Sequence, residues 1–219
     1  MVSIVLVCLG NFQEYIMTNI AQLIRLGHTD IHVITSDNIM HEFEPLASLI
    51  TLVSADELED EYQFNARSQL DKQFRSGFWH YASARMFVLY AYMKASGLTN
   101  VIHLENDVLI YHHCGTVQFS KRAIYMPFDT YSRNIASIVY IPDASILGDV
   151  LKLYDYTKND MQNFANKPGL VENLPICPVM PGMNDEQRWV SSDNPTFIFD
   201  AAAMGQMVGG VDPRNISGD

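Results

Sequence analysis

The sequence predicts an α/β chain with a mixed central sheet flanked by helices, a Rossmann-like arrangement, and three observations predict it. A continuous apolar run, Ile4 to Leu9, opens the chain. A helical stretch and an alternating strand follow it directly, which makes a strand–helix–strand unit. A second buried strand, Val101-Ile102-His103-Leu104, then runs straight into Glu105-Asn106-Asp107. The length of 219 residues suits a single domain, and no internal repeat or linker divides it.

Each element has its own signal. Ile4 to Leu9 lacks polar alternation, as expected of a strand covered on both faces, and Gly10-Asn11 bounds it. Phe12, Ile16, Ile20, Leu23 and Ile24 recur at helical spacing, with Gly27 as the stop. Ile31, Val33 and Thr35 alternate and end at Ser36-Asp37-Asn38. Residues 40 to 75 are polar and irregular, and their acids Asp56, Glu57, Glu59, Asp60 and Glu61 read as a solvated face. Phe78 to Ser96 is apolar on most sides and reads as a deeply buried helix, with Gly97 after it. Val108 to Tyr111 is a further apolar piece. Beyond it, 123–127 and 136–141 read as strands, Pro142-Asp143 starts a helix through about Tyr156, and Asn159-Asp160 starts another. Residues 167 to 195 read as a long Pro-rich loop, 197–199 as a strand, and 200–207 as a last helix stopped by Gly209-Gly210.

Composition excludes several classes. Apolar residues make up 48% and charged residues 18%, which rules out disorder. No apolar run approaches the roughly 18 residues of a membrane span. With 14 basic against 25 acidic residues, a net charge of −11, the chain has no overall attraction for nucleic acid. A phosphate ligand would need positive charge from elsewhere, and a divalent cation held by carboxylates supplies it. Cys8, Cys114 and Cys177 are odd in number and scattered, as in a reducing compartment. No Lys or Arg precedes Arg25, so there is no signal-peptide n-region, and a cytoplasmic location is expected. Asn215-Ile216-Ser217 matches a glycosylation acceptor by chance on that reading, and the uncapped end suggests a chain cut from a longer multidomain protein.

Glu105-Asn106-Asp107 is the most informative feature. Ligands of open α/β sheets bind at the carboxyl ends of strands. In an extended segment, residues i and i+2 point the same way, so both carboxylates can face one hard cation. Arg85 lies in an apolar helix and needs an anionic partner, either a ligand phosphate or a structural carboxylate such as Asp107. Among the histidines, His103 reads as a core residue, while His112 and His113 are candidates for substrate or metal contacts. Trp79 reads as core packing. Zinc spacings, a phosphate loop, a dinucleotide fingerprint and a nucleophile elbow are all missing from the sequence.

The stretch Phe78-Trp79…Arg85…Leu89…Gly97 through Tyr111 resembles glycosyltransferases of the GT-A fold. More narrowly, it is similar to glycosyltransferase domains of large DNA viruses of algae and protists, and of some microbes. The likeness continues through Asn159-Asp160-Met161, Leu174-Pro175-Ile176, and Asp200…Gly205-Gln206…Gly209 to Asn215. It implies a nucleotide-binding half at about 1–111 and an acceptor half at about 112–219. It also implies Mn2+ or Mg2+, a UDP-sugar donor carrying galactose or glucose, a glycan acceptor, and host cytoplasm if the source is viral. Asp107 takes the place of the metal-binding aspartate of the DxD motif, and Glu105 replaces its first Asp.

Asn11 and Asp37, at adjacent strand ends, are candidates to hydrogen-bond uracil or ribose. Asn11 reads equally as a helix N-cap, and Asp37 equally as a turn residue. Asp160 and Asp200 are candidates for the carboxylate that takes the acceptor proton, with Asp160 first; Asp185 and Glu186 rank below them. Two competing functions stay open: a sugar nucleotidyltransferase, and a non-catalytic nucleotide-sugar-binding module of a larger enzyme. Against the first, Gly10 stands alone and no basic residue is near it.

Overall fold

A computed structural model describes residues 2–174. Its first half is a parallel crossover sheet. Strand β1 (Ser3–Cys8) pairs in parallel with β2 (Ile31–Thr35), and β2 pairs with β3 (Thr51–Ser54). On the other side β1 pairs in parallel with β4 (Val101–Leu104). Antiparallel β7 (Ile138–Ile141) then carries the sheet on to β5 (Ile124–Thr130). The short β6 (Arg133–Asn134) and the parallel β8 (Val171–Leu174) both pair with β5. The strand order is β3-β2-β1-β4-β7-β5-β6, and the chain reverses its direction of growth between β1 and β4.

Alternation along β1 explains the apolar run that opens the chain. Ile4, Leu6 and Cys8 face one core with Ile16, Ile20 and Leu23 of helix α1 (Tyr15–Arg25). Val5 and Val7 face the opposite core. There they meet helix α3 (Phe78–Ser96), helix α4 (Ala144–Leu151), Phe64 of the short helix α2 (Phe64–Arg67) and Phe164 of α5 (Asp160–Phe164). Both faces are therefore covered, and no position of β1 could be polar without a buried partner. Helix α3 lies between Gly77 (φ 86°) and Gly97 (φ 73°), and its buried residues include His80, Arg85, Leu89 and Met93. Left-handed backbone at both ends is what glycine supplies at no steric cost.

Several elements differ from the sequence reading. α4 ends at Leu151 rather than near Tyr156. Asp155 Oδ1 accepts from the Thr157 backbone N–H at 3.0 Å and from its hydroxyl at 2.6 Å, a local turn that competes with helix. The same turn sends Tyr154 into the core against Phe87. β3 and β8 fall in stretches that read as irregular. Each gains its strand character from its neighbour, β2 and β5 respectively, and neither carries a strong local pattern. Val108 to Tyr111 forms no strand; Val108 and Ile110 lean on the core while Leu109 and Tyr111 are exposed. Cys8 and Cys114 are buried free thiols, both pushed up to about 11 by burial. No helix among the described residues is long and apolar enough to cross a membrane. The predicted elements at 197–199 and 200–207, and Cys177, lie outside the described residues.

Candidate functional site at the carboxyl ends of β1 and β4

The point where strand order reverses in an open α/β sheet leaves a crevice between two strand ends. Here that point is β1/β4, flanked by the loop after Cys8 and the turn after Leu104. The turn is held from below. Asn19, fully buried on α1, donates through Nδ2 to the carbonyls of Glu105 (3.2 Å) and Asn106 (3.3 Å). Asn106 Nδ2 donates to Gln13 Oε1 at 3.0 Å, which ties the turn to the first loop. A buried Asn in the apolar stripe Ile16, Ile20, Leu23 was the one sequence signal for this support, and the reading of the sequence missed it.

Glu105 and Asp107 do not share an extended segment. β4 ends at Leu104, and the Val108 backbone N–H donates to the Glu105 carbonyl at 3.1 Å, closing a turn. The i, i+2 argument for their common direction therefore fails on geometry. They still stand near enough for each to feel the other's charge. The exposed Asp107 carboxyl is pushed up from the usual carboxylate range, first by partial desolvation and then by Glu105. Tyr15, at the start of α1, is within the same field: its phenol is raised by desolvation, then by Asp107, Cys8 and Glu105.

Arg85 finds its partners in Glu105 and Asp160, not in Asp107. Nη1 meets Glu105 Oε1 at 2.6 Å, and Nη2 meets Asp160 Oδ2 at 3.0 Å. Burial alone would weaken the protonation of Arg85, but these two carboxylates more than offset it and push its pKa up. Burial pushes the Asp160 carboxyl up against the pull of Arg85. Only 1% of the Asp160 side chain is exposed, so as placed it meets no acceptor hydroxyl. Three carboxylates thus stand against one guanidinium at this strand end.

Asn11 and Asp37 come to the same edge, since Cys8 pairs with Thr35 at the ends of β1 and β2. Glu14, not Asn11, occupies the N-cap of α1, so the capping reading of Asn11 does not hold. Asp37 is partly committed: its Oδ1 accepts from Ser54 Oγ at 2.5 Å, and its backbone N–H donates to Asp56 at 2.8 Å. Gly10 (φ 76°) donates to Ser36 Oγ at 3.2 Å, and the Tyr81 ring lies over it, so close that a Cβ on Gly10 would come within 2.6 Å of the ring. Tyr15 and Tyr81 were not singled out by sequence, because an aromatic at a helix start carries no chemical spacing.

His103 is fully buried, with Nδ1 on the Val5 carbonyl at 3.0 Å, and desolvation followed by Arg85 lowers it to about 3. His113 stacks on His28 (centroids 4.1 Å apart) and accepts from Gly115 N–H, which is local structure. Trp79 is half-buried and packs edge-on against Phe78 at 4.9 Å. Asp185, Glu186 and Asp200 lie outside the described residues.

The donor set is chemically suited to a hard cation. Two carboxylates are oxygen ligands of the kind Mg2+ and Mn2+ take alongside phosphate oxygens and water. Among the described residues no group of three or more His, Cys, Asp or Glu could hold a metal alone. A cation here would need the remaining oxygens from a ligand.

No family model matches this sequence, and no curated protein matches it either. Solved structures give distant likenesses. A cytidylyltransferase from Leptospira borgpetersenii aligns over 97% of this chain and 88% of its own, at 11% identity and a TM-score of 0.48. A glycosyltransferase titled PaToxG aligns over 69% of this chain at 14% identity and a TM-score of 0.43. The glycosyltransferase GlyE of Streptococcus pneumoniae aligns over 68% at 10% identity and a TM-score of 0.40. The chain spans 58% of the length of the PaToxG structure and 36% of the GlyE structure.

Proposed function

We propose that this chain is a metal-dependent glycosyltransferase of GT-A type, moving a hexose, galactose or glucose, from a UDP-sugar to a glycan hydroxyl. The observation that carries the reading is the Glu105/Asp107 pair at the β1/β4 reversal point, on a chain whose net charge is −11. Asp107 and the free oxygen of Glu105 would hold Mn2+ or Mg2+. The cation neutralises the diphosphate and so makes UDP a better leaving group. Asn11 and Asp37, one edge over, bind uracil or ribose. Tyr15 lies within the field of both carboxylates.

Asp160 is locked behind Arg85, so the acceptor proton falls to another carboxylate, with Asp200 next in order. Between sugar transfer and nucleotidyl transfer, the first loop favours the former. Residues 9–14 contain one glycine and no Lys or Arg to grip a triphosphate. The test is a donor screen with Mn2+ and with EDTA. Release of UDP from one UDP-sugar, lost with EDTA, is expected. Pyrophosphate released from a nucleoside triphosphate and a sugar phosphate would move the chain to the nucleotidyltransferases. Mn2+-dependent UDP binding without product, across all acceptors tried, would leave a binding module.

A further inference from the structure

Arg85 joins two carboxylates from distant parts of the chain. Glu105 follows a central strand, and Asp160 opens α5 in the second half. The Asp160 backbone N–H donates to Ser83 Oγ at 3.0 Å, so α3 holds Asp160 at two points, Ser83 and Arg85. The side chains of Asp160 and Arg85 are 1% and 10% exposed, whereas that of Glu105 is 31% exposed. Of the three, Glu105 is the one most open to solvent.

We propose that Arg85 and Asp160 are positioning residues that set the Glu105 carboxylate at the cation site. This rests on the function proposed above. Asp160 anchors one arm of the guanidinium; the other arm fixes Oε1 of Glu105, and Oε2 is left for a cation or a ribose hydroxyl. The planar fork of arginine matches two acceptors held at a fixed separation, which the point charge of lysine does not. Both arms of the guanidinium already face carboxylates, one of them buried, so on this reading Arg85 serves the donor through Glu105. Partners that orient a metal ligand from behind are worth about 10–100-fold in metal affinity.

The experiment is Mn2+ binding to the full chain, followed by electron paramagnetic resonance, for wild type, Asp160→Asn, Arg85→Lys, Glu105→Gln and the double variant Glu105→Gln/Asp160→Asn. Asp160→Asn and Arg85→Lys should each weaken Mn2+ binding about tenfold. In the Glu105→Gln background, Asp160→Asn should add nothing, because its route to the metal is gone. Arg85→Lys keeps the buried charge and serves if Asp160→Asn does not fold. Wild-type affinity in folded Asp160→Asn or Arg85→Lys would overturn the proposal, leaving the trio as scaffold alone. So would a tenfold loss that persists without Glu105. Absence of Mn2+ binding in the wild type would count against the proposed function instead. Crystal structures of wild type and Arg85→Lys then decide the positioning role: a Glu105 carboxylate that keeps its place without the fork overturns it, and a displaced one upholds it.

Discussion

At the amino end of the parallel strands, Asp30 holds Ser3 Oγ at 2.6 Å and His32 Nε2 at 2.9 Å, while His32 Nδ1 meets Tyr92 Oη at 2.8 Å. Both carboxylate oxygens and both ring nitrogens are used. At the carboxyl end of the same sheet, Asn19 Oδ1, Asn106 Oδ1, Arg85 Nε and Asp160 Oδ1 are buried without a hydrogen-bond partner among the described residues. One end is a closed network that ties β1 and β2 to α3. The other holds buried polar atoms that no described residue satisfies, a cost to stability unless water or a ligand satisfies them. One end of the sheet thus satisfies its buried polar groups within the fold, and at the other several are left without a partner among the described residues.

The largest effect should come from the open end. Asp107→Ala is expected to lower metal-dependent nucleotide binding and turnover by at least about a hundredfold. Its melting temperature should be unchanged or slightly higher. The Asp107 carboxyl is raised in the folded chain, so its charge costs stability above that pKa rather than supplying it. Calorimetry and thermal melts check both halves; a melt that collapses with the binding would mean the ends do not differ in kind.

A smaller effect follows for Glu105→Gln, about tenfold in metal affinity, because Glu105 offers one oxygen where Asp107 is uncommitted. Equal losses for the two would show that the Arg85 contact does not restrict Glu105.

Acid should act on the buried neutral histidines. His28 is lowered to about 4, by desolvation and then His113, and His103 to about 3. Below the ordinary value of 6.5 the unfolded chain takes up protons that the folded chain refuses. Stability should therefore fall steadily from about pH 6.5 towards pH 4, and His28→Gln should flatten that slope in urea titrations followed against pH. An unchanged slope would remove His28 from the account.

The smallest effect belongs to the closed end. Tyr92→Phe removes one partner of His32 and should cost about 1 kcal/mol in chemical denaturation, with Mn2+ and UDP affinities unchanged. Weakened nucleotide binding in this variant would link the two ends and dissolve the contrast.

Much of this was legible in the sequence because the signals were local. Ile4 to Leu9 reads as a strand covered on both faces, Phe78 to Ser96 as a buried helix with Gly97 after it, and Asn159-Asp160 as a helix start; β1, α3 and α5 stand there, and α5 carries a capping box between Asn159 and Gln162 that the sequence reading did not single out. Glu105-Asn106-Asp107 was found because a strand pattern ends directly on it. What the sequence could not give depends on partners far along the chain. β3 and β8 exist through pairing with β2 and β5. The turn at Glu105 depends on Asn19, some 86 residues earlier in the chain.

Arg85 shows the division most clearly. By itself the sequence determined that a guanidinium in an apolar helix must have an anion beside it, since a buried charge cannot stand alone. It also determined that two carboxylates end the central strand, because strand periodicity and charge are properties of neighbouring residues. Only the tertiary structure decided which carboxylates Arg85 takes: Glu105 and Asp160 rather than Asp107, with separations of 20 and 75 residues. It likewise withdrew Asp160 from the surface. Burial and ion pairing are set by how distant segments pack, and no local spacing encodes them.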